Sequence, residues 1–99
     1  MSEELRQAFK VMSPQGLHAR PASIFVKIAN KFVSDITAIK DSERANGKSM
    51  MGILTLAVEQ GSDIELVIKG TDANAAMLEL GKFLSQSDHS EYSKRKQSE

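Results

Sequence analysis

The sequence of 99 residues contains two histidines and no cysteine, so few side chains can do covalent chemistry. His18 lies in the string Gly16-Leu17-His18-Ala19-Arg20-Pro21-Ala22, and His89 lies between Asp88 and Ser90 in a polar stretch. A neutral imidazole offers a nucleophilic nitrogen near neutral pH. The residues after His18 read as the start of a helix, because Ala22, Phe25, Ala29 and Phe32 recur at helical spacing. Pro21 suits its first turn, where backbone N–H groups have no intrahelical acceptor. Such a helix start presents those N–H groups and about half a positive charge. Arg20 adds a permanent fork of donors that matches phosphate oxygens. These parts describe a histidine able to accept a phosphoryl group, since phosphoryl transfer needs mostly positioning and charge stabilisation. Two plainer readings stand beside it: His18 as a helix cap next to a solvated Arg20, and a passive anion site. His89 has no comparable neighbours and is assigned no role.

The elements that must position His18 follow from periodicity. Residues 9–12 alternate as a short strand, and Ser13-Pro14-Gln15-Gly16 is a turn signal. The first helix is expected over residues 19–31. A strand follows at 34–40, with Ile36 and Ala38 on one face, then a polar turn at Asp41-Ser42-Glu43 and a short strand at 44–46. Asn46-Gly47 is a turn dipeptide, and Ser49 is placed to cap a helix reaching about residue 58. Ile64, Leu66 and Ile68 alternate with Glu65, Val67 and Lys69 as a strand. Gly70-Thr71-Asp72 is a turn with a capping residue, and Ala73, Ala76, Met77, Leu80, Phe83 and Leu84 mark the last helix. The order βαββαβα implies an α+β fold: a two-layer open-faced β-sandwich, its four-stranded antiparallel sheet covered on one face by three helices. Residues 1–85 are expected to form the domain. Residues 86–99 contain no aliphatic side chain and are expected to be a disordered tail.

The string around His18 closely resembles the active-site loop of the HPr family, the histidine-containing phosphocarriers of the bacterial phosphoenolpyruvate-dependent phosphotransferase system. A second stretch, Asn46-Gly47-Lys48-Ser49-Met50-Met51-Gly52-Ile53-Leu54-Thr55-Leu56, is similar to that family's serine-site region. The resemblance covers about residues 7 to 85 and implies an HPr-like fold. It implies that enzyme I passes phosphate to Nδ1 of His18 and that His18 hands it to an enzyme IIA domain. Arg20 would then contact the phosphoryl oxygens, and the N–H groups of Ala19 and Arg20 would cap them. The implied protein is a covalent phosphocarrier rather than an enzyme, with no cofactor and no metal, acting as a monomer. Within this family the same motif serves a sugar branch and a nitrogen-related regulatory branch.

Ser49 carries two readings, a structural helix cap and, through the resemblance, a target of an ATP-dependent HPr kinase/phosphorylase. Phosphate at a helix start is tolerated locally, yet its charge would oppose acidic partners. A serine-phosphorylated regulatory module that works by docking is the alternative to a phosphohistidine carrier. Ile53 and Leu56 are expected to fill the buried stripe of the short helix. Leu17, Met50, Met51 and Leu54 are then expected to form an exposed docking patch beside His18, with core packing as the alternative.

Lys plus Arg and Asp plus Glu each number 13, giving zero net charge. This argues against binding nucleic acid or an anionic membrane by bulk electrostatics, and no Gly-x-x-Gly clamp or aromatic strand favours nucleic acid. No run of about 18 apolar residues suggests membrane insertion. The first residues are charged rather than signal-like, so a cytoplasmic location is expected. The absence of cysteine excludes disulfides, thiolate metal sites and cysteine nucleophiles. Charge is uneven within the chain. Arg20, Lys27, Lys31 and Lys48 are expected to form a basic face around His18 for acidic partners, while Asp63, Glu65, Asp72 and Glu79 fall later.

Overall fold

The computed structural model describes residues 4–86. The elements are β1 (Glu4–Lys10), α1 (Ala19–Ala29), β2 (Asp35–Lys40), β3 (Glu43–Asn46), α2 (Met50–Thr55), β4 (Asp63–Lys69) and α3 (Ala73–Ser85). The strands form one antiparallel sheet in the order β1-β4-β2-β3. Alternation puts Ile36 and Ala38 of β2 and Ile64, Leu66 and Ile68 of β4 on the covered face, where all five are buried. The helices lay Ala22, Phe25 and Ala29 of α1, Ile53 of α2, and Ala76, Leu80, Phe83 and Leu84 of α3 against them. The expected architecture of one sheet face covered by three helices is therefore the observed one.

Several expected boundaries move, each for a local reason. The first strand is Glu4–Lys10 rather than 9–12, because pairing with β4 runs from Glu4↔Lys69 to Lys10↔Asp63. Beyond Lys10 the chain leaves the ladder, and Val11 N–H donates to the Ser62 carbonyl at 2.9 Å. The first helix stops at Ala29, and the next residues close with three-residue turns, Lys31 N–H to Ile28 O and Phe32 N–H to Ala29 O. The second helix ends at Thr55 instead of near 58. Ala57 takes a left-handed φ of 52°, which no right-handed helix can continue through.

Ser49 caps α2 as expected, its Oγ accepting from Gly52 N–H at 3.1 Å. Asp72 behaves differently from its expected capping role. It occupies the N-cap position of α3 but makes no side-chain cap bond. Its carboxylate turns instead to the segment before β2, accepting from Ser34 Oγ (2.5 Å), Val33 N–H (2.9 Å) and Ser34 N–H (3.0 Å). The Ser34 hydroxyl, with the Val33 amide next, holds this carboxyl below the usual aspartate range. The expected tail at 86–99, with His89, lies outside the described residues apart from Gln86.

Candidate functional site

The loop between β1 and α1 is fixed before His18 is reached. Gly16 N–H donates to the Ser13 carbonyl at 2.9 Å, and His18 N–H donates to the Gln15 carbonyl at 3.3 Å. Gly16 has φ 58°, and a Cβ there would run into the Val58 carbonyl and come within 2.9 Å of Glu59 Cα. Only glycine allows this close approach of two backbones. Leu17 N–H completes the junction by donating to Val58 O at 2.9 Å.

His18 takes the N-cap position of α1, with φ −79° and ψ −167°, and its carbonyl accepts from Ala22 N–H at 2.8 Å. Its ring makes no capping hydrogen bond, so the helix start does not consume the imidazole. The side chain is 58% exposed. Ala19 and Arg20 follow in the first turn, where amides have no intrahelical acceptor, and that turn contains no acidic residue. Arg20 is exposed there, one turn position from Pro21, which is buried. An exposed imidazole and an exposed arginine thus belong to one helix start, and groups of these kinds can hold an added phosphoryl dianion.

Leu17 is a correction. Expected in an exposed patch, it is 2% exposed and belongs to the core. Its loop gains its fixed shape by turning this side chain inward, where burial of a leucine contributes about 1.5–3 kcal/mol. The other apolar residues divide: Met51 is 75% exposed and Leu54 38%, while Met50 is half-buried against the core. Ile53 and Leu56 fill the inner stripe as expected.

The expected basic face around His18 is also revised. Lys31 pairs with Glu79 on α3. Lys48 Nζ donates to the Phe32 carbonyl at 2.6 Å, and Asn30 Nδ2 donates to Lys48 O at 3.2 Å. These contacts fasten the Ser49 loop to the C-terminal end of α1. Eleven helical residues, or roughly 16 Å, separate that end from His18. Lys27 is exposed on the last turn of α1, also away from His18. Beside His18 the structure places an acid instead: Glu59 Oε1 lies 3.9 Å from Nε2. Sequence reasoning missed Glu59 because it lies in a loop remote in sequence, with no periodicity to tie it to His18.

Among the described residues, no group of three or more His, Asp or Glu side chains is arranged to hold a metal ion. No helix there is long and apolar enough to cross a membrane.

Known proteins resemble this chain in sequence and in fold. The HPr-like protein Crh of Bacillus subtilis is 38% identical over 82 residues, which span 83% of this chain and 96% of that one. A crystal structure of Crh, described as a dimer with a swapping domain, superposes with a TM-score of 0.66 at 39% identity, covering 81% of this chain and 92% of that one. The crystal structure of phosphocarrier protein HPr from Bacillus anthracis gives a TM-score of 0.81 at 39% identity, covering 83% and 98%. Phosphocarrier protein HPr of Treponema pallidum is 43% identical over 68 residues, 69% of this chain and 77% of that one. The family model for the PTS HPr component phosphorylation site matches residues 5–86, and with these relatives it shows that the chain belongs to the HPr family of phosphotransferase-system phosphocarriers.

Proposed function

We propose that His18 carries the phosphoryl group, accepting it on Nδ1 from phosphorylated enzyme I and passing it to an enzyme IIA domain. The observation that carries this reading is the exposed His18 ring at the start of α1, held at the N-cap by its backbone while its nitrogens make no capping bond. In this reading the first-turn amides of Ala19 and Arg20 and the Arg20 guanidinium receive the phosphoryl oxygens. The exposed Met51 and Leu54, with the half-buried Met50, form the docking surface, together with Lys27 and Lys48. The carrier acts as a cytoplasmic monomer. Incubation with phosphoenolpyruvate and enzyme I is expected to give acid-labile, base-stable phosphate on the chain. A His18→Ala variant that takes the same label overturns the reading.

A second reading, regulation by docking after phosphorylation of Ser49 by an HPr kinase/phosphorylase, is favoured by the identity to Crh and by the position of Ser49 at a helix cap. A phosphate oxygen on Ser49 replaces Oγ as acceptor for the Gly52 amide, while its charge opposes acidic partners. Activity that survives His18→Ala and is lost in Ser49→Ala separates this reading from the first. Size-exclusion chromatography with light scattering tests the monomer against a swapped dimer of the kind described for Crh.

A further inference from the structure

Two loops meet at His18, and the contact that joins them also brings a carboxylate near its ring. Leu17 N–H donates to Val58 O, and each of these residues immediately precedes one partner of the His18–Glu59 pair. Val58 is fully buried. Glu59 N–H donates to Ser62 Oγ at 3.2 Å, and the Glu59 carbonyl accepts from Ser62 N–H at 3.1 Å. The backbone of Glu59 is therefore held against that of His18, and its carboxylate approaches Nε2. The separation of 3.9 Å exceeds a direct hydrogen bond and leaves a through-space charge contact between the two side chains.

We propose that Glu59 is a positioning residue for His18. The proton of a neutral imidazole stays on the nitrogen that faces an acceptor, and the other nitrogen keeps the free lone pair. Glu59 thus holds the proton on Nε2 and leaves Nδ1 as the nucleophile. The inference rests on the reading of His18 as the phosphoryl acceptor. In the transfer, the Nδ1 lone pair forms the new N–P bond. The bond from phosphorus to the donor's leaving atom breaks, and its electron pair goes to that atom. Nε2 keeps its proton, so the ring becomes cationic. The Glu59 carboxylate balances that charge, as a buried aspartate does for the imidazolium of serine hydrolases.

The test compares the full chain with Glu59→Gln and Glu59→Asp. Glu59 is 72% exposed, so the isosteric change leaves the fold intact. Long-range ¹H–¹⁵N NMR on the neutral His18 ring is expected to show the Nε2–H form in the parent and a larger Nδ1–H fraction in Glu59→Gln. A full charge at this distance in water, screened at physiological salt, makes phosphoryl transfer from phospho-enzyme I about three-fold slower in Glu59→Gln. That deficit shrinks as salt rises, and Glu59→Asp recovers part of the rate. Equal tautomer populations and equal rates in the parent and Glu59→Gln overturn the role of Glu59 alone. A parent chain that takes no phosphate on His18 overturns the acceptor reading and this proposal with it.

Discussion

Leu17→Ala separates a core residue from a docking residue at the position next to His18. The side chain is 2% exposed, so its truncation leaves a cavity as well as removing buried area. Leucine-to-alanine changes in packed cores cost about 2.7–5 kcal/mol. A loop position at the edge of the core can collapse partly, which places the expected loss near the lower end, at about 3 kcal/mol. In a domain of this size each kcal/mol shifts Tm by roughly 4–8 °C, so Tm falls by about 12–24 °C. The control is Met51→Ala, 75% exposed, whose stability is expected to stay within about 0.5 kcal/mol of the parent. Urea titration followed by far-ultraviolet circular dichroism measures both, with an unchanged m-value showing that only stability moved. A Leu17→Ala chain within about 1 kcal/mol of the parent, yet weakened in binding enzyme I, refutes the assignment of Leu17 to the core.

Three further outcomes are expected. Asp72→Asn removes the carboxylate that Ser34 and Val33 hold. Because the folded-state pKa of Asp72 is lowered, its contribution is present above the ordinary aspartate value and is lost as pH falls through the folded value. Thermal melts should therefore show a gap between parent and variant at pH 7 that closes below about pH 4. Ser49→Ala removes the acceptor for Gly52 N–H and should cost about 1 kcal/mol in thermal unfolding, even with no kinase present. Ser42→Gly should stabilise. Asp41 and Ser42 form a two-residue hairpin turn with φ 49° and 74°, a type I′ geometry that favours glycine. Relief of the left-handed strain outweighs the entropy that glycine adds to the unfolded chain, for a net gain of about 0.5 kcal/mol seen as a higher urea midpoint.

Much of the molecule was legible because its local codes are short-range. The helical spacing of Ala22, Phe25 and Ala29 names the buried face of α1, and the alternation of Ile64, Leu66 and Ile68 names that of β4. Ser49 is readable as a cap because a cap needs only a hydroxyl three residues ahead of an amide. Half of β1 carries no apolar pattern, because Glu4, Arg6 and Gln7 are polar residues on an edge strand, which β4 recruits by backbone pairing. The helical pattern runs past the end of α2 because Met, Leu and Ala favour helix, and nothing local marks Ala57 as left-handed.

At the site the same division holds. His18, Arg20 and Pro21 lie within four consecutive residues, so the imidazole, the guanidinium and the helix start are set by sequence alone. The direction in which Leu17 points is not, since an apolar residue beside a functional one suits a core and a surface equally. Asp72 and Ser34, Lys48 and Phe32, and His18 and Glu59 are each joined across separate elements. Those pairings exist only once the sheet and helices have packed, because long-range contacts depend on where two backbones come to rest. The residue types proposed to accept phosphate follow from the chain alone. The carboxylate facing Nε2, the inward turn of Leu17 and the use of Lys48 at the far end of α1 were decided by tertiary structure.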